Sequence, residues 1–201
     1  SSQPLIDPYD IYQLIMDYWK EVLSDDFYQI ATEGWKAVPY RVIETIKQGK
    51  KKGQKKDVGW ACELVPKQLL VAYAFADKQA ALDTKVSDLE SAEVALAEMV
   101  EEQSGDYGVF ADFDKVNKQE VNIRIKEIKD NAEFADELAV LNDWSNRTKV
   151  IAELKKQVKE LDEALDKLAL DYYPNLTEAE VKVIVIHNKW LKSLEAMIAE
   201  A

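Results

Sequence analysis

The clearest periodicity of the chain lies in WSNRTKVIAELKKQVKELDEALDKL, residues 144–168. Its apolar residues follow a heptad repeat, and Lys, Glu and Asp side chains fill many of the positions between them. Such a repeat is typical of a long helix whose apolar seam packs against another helix. The residues of this seam are Trp144, Ile151, Leu154, Val158, Leu161, Leu165 and Leu168.

A second heptad block lies earlier in the chain. Its residues are Leu82, Val86, Leu89, Glu93, Leu96 and Val100, with Glu93 as one polar interruption. Each block covers about 20 to 28 residues, or roughly 30 to 42 Å of helix. Gly105 and Gly108 predict a turn after the earlier block, so the two blocks can pair as a long antiparallel hairpin. Between them, residues 121–132 fit either a strand or a helix, and we favour the helix.

The N-terminal part carries a clear helix start. Asp7, Pro8 and Asp10 suit the first turn of a helix, and the apolar residues behind them predict a broad face that packs on a large surface. We expect residues 24–26 to end or interrupt this helix and residues 27–30 to form a short strand. The residues of the apolar face are Tyr12, Ile15, Met16, Trp19, Val22 and Leu23.

Further signals mark helix boundaries in the rest of the chain. Pro66 suits the first turn of a helix that continues to residue 75. Residues 172–174, Tyr-Tyr-Pro, predict the end of the long helix. Thr177 and Glu180 form a capping box that starts another helix. The β-branched run of residues 181–186 leaves a strand and a helix both open.

These patterns predict a mainly α fold: a helical domain with a long antiparallel, coiled-coil-like helical hairpin and room for one or two short strands. We expect a helical head at residues 1–75, the long hairpin at 76–172 and a C-terminal helical segment at 173–201. Because the chain starts without Met and stops inside a helical pattern, we expect a fragment of a longer protein.

Composition excludes several classes of protein. The 201 residues include 38 acidic and 26 basic side chains, a net charge of −12, so no general phosphate-binding surface covers the chain. Cys62 is the single cysteine, which excludes an internal disulfide and suits a reducing cytoplasm. The most apolar run, residues 183–186, is too short to cross a membrane. We therefore expect a cytoplasmic protein that does not contact a membrane.

One basic run departs from this acidic background. Residues 47–56, KQGKKKGQKK, hold six Lys and no acid, and predict an exposed loop. The spacing of a phosphate-binding GxxxxGK[ST] loop is not met. We nevertheless carry the hypothesis that the loop contacts the DNA backbone once the protein is part of a larger assembly on DNA. The residues of this candidate contact are Lys50, Lys51, Lys52, Lys55 and Lys56.

Candidate chemical residues are few. His187 is a candidate general base, although an exposed His at the end of an element is the favoured interpretation. Cys62 lies among apolar residues, which predicts a raised rather than a lowered thiol pKa. Asp25 and Asp26 resemble Mg²⁺ or Ca²⁺ ligands, but adjacent carboxylates more often cap helices or face solvent. We assign no catalytic, cofactor-binding or metal-binding residue.

Three stretches resemble the methylation (M) subunit of type I restriction-modification enzymes. The first is DPYDIYQLIMDYWKEVLSDDFYQIATEGWKA, residues 7–37, which is similar to the segment that follows the catalytic domain. The second is LVPKQLLVAYAF, residues 64–75, similar to a Pro-initiated helix of the family. The third is YYPNLTEAEVKVIVIHNKWLKSL, residues 172–194. Their order and approximate spacing match, so the resemblance covers nearly all of the chain.

The resemblance implies the C-terminal assembly domain of a site-specific N6-adenine DNA methyltransferase subunit. Its S-adenosylmethionine and its catalytic Asn-Pro-Pro-aromatic motif belong to an upstream domain, so this segment is expected to hold no cofactor and to be no enzyme by itself. The implied partners are the specificity subunit, a second M subunit, the restriction subunit and, through the complex, DNA. Long helices are expected to dock the specificity subunit through Trp144, Ile151, Leu154, Val158, Leu161, Leu165, Leu168 and Trp190.

An alternative from another class stays open. A heptad seam specifies oligomers as readily as it specifies an internal hairpin. The chain can therefore be a self-contained coiled-coil scaffold that only forms homodimers. A stable homodimer that binds no other subunit would distinguish this scaffold from the assembly domain.

Overall fold

The computed structural model of the protein describes residues 8–49 and 52–200. The chain divides into two compact units, which we call unit 1, Ser1–Gln79 with Leu165–Ala201, and unit 2, Ala80–Ala164. Within the described ranges the fold is mainly helical with one short two-stranded sheet, which confirms the predicted fold class. The C-terminal segment, predicted as a separate part, belongs to the same unit as the N-terminal head.

Unit 1 begins with two helices joined by a π-helical turn. Helix α1 spans Pro8–Tyr18, the turn spans Trp19–Leu23, and helix α2 spans Ser24–Glu33. The predicted strand at residues 27–30 is therefore wrong. The backbone stays helical through Leu23 and Ser24 into α2, so the predicted helix end at residues 24–26 is wrong; the irregularity in this helix is the π-helical turn just before them.

A β-hairpin follows α2 in unit 1. Strand β1, Tyr40–Thr45, pairs antiparallel with strand β2, Lys55–Ala61. The register shifts between Val42 and Ile43, where β2 holds one extra residue, which is typical of a β-bulge. The predicted loop at 47–56 is only partly right, because Lys55 and Lys56 belong to β2.

The remaining helices of unit 1 follow the sequence signals closely. Helix α3 spans Lys67–Ala74 after Pro66. In the C-terminal part a 3₁₀ turn, Tyr173–Asn175, precedes the capping box of Thr177 and Glu180, which is present with both of its hydrogen bonds. Helix α7, Glu178–Lys182, continues as a π-helical segment, Val183–Leu191, and then as helix α8, Lys192–Glu200. Residues 181–186, for which the sequence left a strand and a helix open, are therefore helical.

The core of unit 1 draws on both ends of the chain. Its buried apolar side chains come from the N-terminal helix α1, the segment around Pro66, α3 and the C-terminal part of the chain from residue 165 onward. They include Tyr18, Cys62, Leu64, Val65, Leu70, Val71, Leu165, Ala169, Tyr173, Val181, Ile184 and Val185.

Long helices dominate unit 2. Helix α4 spans Ala76–Glu102, α5 spans Lys118–Ile128, and α6 spans Ala135–Tyr172 after a 3₁₀ turn at Ala132–Phe134. The choice of helix for the stretch around α5 is confirmed. The core of this unit consists of Phe110, Val121, Ile128, Leu141 and Trp144, with residues such as Leu96, Met99, Val100, Ile125 and Leu138 packed around them.

The two heptad blocks lie antiparallel in unit 2. The ammonium of Lys155 is 2.7 Å from the carboxylate of Glu93, and the guanidinium of Arg147 donates to the carbonyl oxygen of Ala95 at 3.4 Å. Residues later in α4 therefore meet residues earlier in α6. The polar residue Glu93 in the earlier seam is explained by its ion pair with Lys155 on the facing helix.

The turn after α4 depends on Gly108. The amide of Phe110 donates to the carbonyl oxygen of Gln103 at 2.8 Å, and the amide of Gly108 donates to that of Gly105 at 2.7 Å. A Cβ atom on Gly108 would lie 2.1 Å from the Gln103 carbonyl oxygen, whereas one on Gly105 meets nothing within 4 Å. The tight turn places Phe110, which is 2% exposed, in the core of unit 2.

Among the described helices, none is both long enough and apolar enough to cross a membrane.

Candidate functional site

A buried ionic cluster lies in unit 1. Asp26 is 4% exposed, and its two carboxylate oxygens accept hydrogen bonds from the Lys189 ammonium and the Trp190 indole N–H, each at 2.7 Å. The expectation that Asp25 and Asp26 cap a helix or face solvent is wrong for Asp26, while Asp25 is exposed. The local sequence does not indicate this burial, because Lys189, the cation that pairs with Asp26, lies 163 residues away in sequence.

The cluster joins all three stretches that carry the family resemblance. Besides Asp26, the Lys189 ammonium donates to the carbonyl oxygens of Glu63 at 2.7 Å and Leu64 at 3.4 Å. The Tyr173 hydroxyl donates to the carbonyl oxygen of Val65 at 2.7 Å, and burial raises its pKa. All three donors of Lys189 are thereby used, so this cluster holds the unit together rather than acting on a substrate.

A second carboxylate fixes the base of the β-hairpin. Asp166 of α6 accepts hydrogen bonds from the Trp60 indole N–H at 3.0 Å and from the Lys67 ammonium. Partial burial alone would raise the pKa of Asp166, but the hydrogen bonds from Lys67 and Trp60 hold it below its usual value. The Tyr173 ring packs edge-on against Trp60 at 5.2 Å. Asp166 is therefore an ionised anchor for β2.

An aromatic stripe covers the outer face of the N-terminal helices. We give this name to Tyr9, Tyr12, Ile15, Trp19 and Phe27, whose exposed fractions are 82, 61, 43, 44 and 45%. The spacing of three or four residues places the members from α1 and the π-helical turn on one helix face. Three members of the predicted apolar face, Tyr12, Ile15 and Trp19, are therefore exposed, whereas Met16, Val22 and Leu23 are half-buried.

The stripe is continuous with the interior of unit 1. The rings of Trp19 and Phe27 are 5.4 Å apart, and Phe27 stacks on Trp190 at 5.2 Å with an interplanar angle of 11°. At the end of α1, Tyr18 is buried, and its hydroxyl donates to the carbonyl oxygen of Lys189 at 3.2 Å. Trp190 of the buried cluster therefore supports the ring of Phe27 directly and that of Trp19 through Phe27.

The seam of α6 is only partly available to a partner. Three of its residues are buried: Trp144, Ile151 and Leu165. Leu154 and Val158 are half-buried, and Leu161 and Leu168 are 37% and 38% exposed. Trp190, the other predicted anchor, is half-buried against Phe27. Docking of another subunit on this set of residues stays a prediction, for which Leu161 is a well-exposed probe.

The hairpin carries the predicted lysines. We call strands β1 and β2 with the segment between them, residues 40–61, the basic ribbon. Lys52, Lys55 and Lys56 are exposed on it, while Lys50 and Lys51 lie outside the described residues. Because sequence patterns indicated a loop here, the paired strands behind the lysines were not anticipated.

The candidate chemical residues His187 and Cys62 do not form a common site. His187 is exposed within the π-helical segment rather than at an element end. Cys62 is 3% exposed, and burial raises the pKa of its thiol as predicted. In residues 8–49 and 52–200, no three His, Cys, Asp or Glu side chains are placed to hold a metal ion together.

Comparison with known proteins gives no match, since no family model, curated protein or solved structure matches this chain. The resemblance to type I methylation subunits therefore rests on the three stretches themselves, and it stays a prediction.

Proposed function

We propose that this chain is the C-terminal assembly domain of a type I restriction-modification methylation subunit, and that it docks the specificity subunit. In this proposal the chain supplies no catalytic residue, and S-adenosylmethionine binds the upstream domain of the parent subunit. The parent would modify adenine at N6 in the cytoplasm, together with a second methylation subunit and the restriction subunit.

The observation that carries the proposal is the aromatic stripe. Exposed apolar patches of this kind mark protein interfaces, and Tyr and Trp are the side chains that contribute most to binding energy there. The stripe lies in the first of the three stretches that resemble the family. Because Phe27 stacks on Trp190 of the buried cluster and Trp19 packs on Phe27, these two rings lose little conformational entropy when a partner binds.

The long helices supply the second part of the docking surface in this proposal. Leu161 extends the seam of α6 and is 37% exposed, whereas seam residues such as Ile151 are already buried. In this proposal a partner helix with an apolar seam packs against Leu161 by heptad geometry.

The proposal is tested by substitutions that change the surface and leave the fold intact. We expect Tyr12→Asp and Leu161→Asp each to weaken binding to the specificity subunit about tenfold or more, because each places a charge in an apolar contact. Binding is measured by calorimetry, and circular dichroism checks that each variant folds, which the exposure of both side chains predicts.

Two matched controls separate docking from general effects of charge. Tyr107→Asp and Val94→Asp introduce the same carboxylate at residues that are 103% and 57% exposed, and we expect both to bind like the unchanged chain. If the folded Tyr12 and Leu161 variants also bind normally, neither surface docks the specificity subunit and the proposal fails.

A further inference from the structure

The basic ribbon is a strongly charged surface that the assembly proposal leaves unused. It holds seven Lys or Arg side chains and two carboxylates, a net charge of +5. Since the whole chain carries −12, the residues outside the ribbon carry −17. We infer that the ribbon binds double-stranded DNA by entering the major groove and contacting the phosphates on its two walls.

The backbone of the ribbon has the dimensions of a groove-binding element. The ladder runs from the pair Tyr40 and Ala61 to the pair Thr45 and Lys55. It is prolonged by hydrogen bonds from the Ile46 amide to the Gln54 carbonyl at 2.9 Å and from Gly53 to Ile46 at 2.8 Å. The seven residues of β2 span about 24 Å at about 3.4 Å each. The major groove, about 12 Å wide, admits a two-stranded ribbon.

Positive charge lies on both faces of the ribbon. Neighbouring residues of a strand point to opposite faces, so Lys55 and Lys56 present their ammonium groups on different sides. Lys47 and Lys52 add exposed charge nearer the tip. A flat anionic surface would meet one face only, whereas the two phosphate walls of a groove meet both.

The two acidic residues of the ribbon lie away from its tip, and each has a basic residue beside it. Asp57 is 3.8 Å from the Arg41 guanidinium and accepts a hydrogen bond from the Gly59 amide at 2.9 Å. Glu44 lies opposite Lys56 in the ladder. Residues 46–56 contain no acid, and Lys50 and Lys51 add two further charges by sequence. The segment near the tip therefore contains no acid of its own to offset its lysines.

Other anionic partners fit the ribbon less well. Residues 47–56 contain no apolar side chain to enter a membrane. Residues 41–59 contain no aromatic side chain on which the bases of a single strand would stack. The major groove of an RNA duplex is deep and narrow, and side chains cannot read it. B-form DNA is the partner that these features favour.

The inference is tested with the 201-residue chain alone, so it does not rest on the assembly proposal and the two can fail separately. Fluorescence anisotropy measures binding to a labelled DNA duplex of arbitrary sequence over a series of salt concentrations. The ribbon variant combines Lys52→Gln, Lys55→Gln and Lys56→Gln. The control variant combines Lys149→Gln, Lys156→Gln and Lys159→Gln, which remove the same charge from exposed positions on α6.

We expect the unchanged chain and the control variant to bind the duplex at about 50 mM salt, with affinity that falls as salt rises. The ribbon variant should bind at least tenfold more weakly, and its salt slope should fall by about 0.9 for each phosphate that it no longer neutralises. Absence of binding by the unchanged chain overturns the inference. Equal weakening in both variants overturns it too, as does tighter binding to a single strand or to an RNA duplex of the same length.

Discussion

At the scale of single residues, the most informative side chain is Asp26. Its side chain is 5% exposed and that of Lys189 is 14% exposed, with 2.7 Å between the charged atoms. A buried charge that loses its partner costs about 3–5 kcal/mol, although replacing both charges by apolar groups is often neutral. The cluster therefore fixes where α2 packs against the π-helical segment, and through Trp190 it supports the Phe27 ring of the aromatic stripe.

This arrangement predicts a clear difference between two adjacent aspartates. Asp26→Ala should lower the free energy of unfolding by about 3 kcal/mol or more, because Lys189 stays buried without its carboxylate. Asp25→Ala, at an exposed position, should change it by less than about 0.5 kcal/mol. Urea unfolding followed by tryptophan fluorescence measures both.

Coupling between Asp26 and Lys189 is the stricter part of this prediction. The double variant Asp26→Ala with Lys189→Met should be less destabilised than the sum of the two single variants, by at least about 0.5 kcal/mol. Additive effects, or equal effects of the Asp25 and Asp26 substitutions, would show that the pair does not hold unit 1 together.

At the level of elements, the turn after α4 places Phe110 in the core of unit 2. Gly108→Ala should destabilise the protein by about 1–3 kcal/mol, because the new methyl group overlaps the Gln103 carbonyl. Gly105→Ala is the matched control and should be nearly neutral. Thermal unfolding by circular dichroism compares the two variants. Equal melting temperatures would mean that the close approach at Gly108 does not constrain the turn.

Elements whose signals are local were predictable from the sequence. The heptad blocks indicated the long helices, the capping box of Thr177 and Glu180 indicated the start of α7, and Pro66 preceded α3. The helix–strand choice at 27–30 failed because aromatic and β-branched residues suit both states. The β-hairpin was missed because lysines dominate its tip and the strand flanks show no clean alternation of polar and apolar residues.

The candidate sites were predictable only in part, for the same reason. The lysines of the ribbon and the seam of α6 are visible as local patterns. Asp26 and Asp166 are not, because their partners lie 163 and about 100 residues away, and one sequence carries no record of such pairing. Which apolar side chains stay exposed, as Tyr12 and Leu161 do, depends on what the rest of the chain covers.

At the scale of the whole molecule, the surfaces suit a protein that assembles with others. Unit 1 exposes an aromatic stripe, and its ribbon concentrates positive charge in an otherwise acidic chain. These features are separate in sequence and in chemistry. A subunit that docks a protein partner and contacts DNA phosphates in the same complex would use both of them.

The most direct test of the assembly account is the mass in solution, measured by light scattering on a sizing column. The account predicts that the chain alone is a monomer near 22.9 kDa. Mixed with the specificity subunit encoded beside its parent, it should shift into a heterocomplex of defined composition. A stable homodimer of twice that mass, unchanged when the specificity subunit is added, would contradict the account and support the self-contained scaffold.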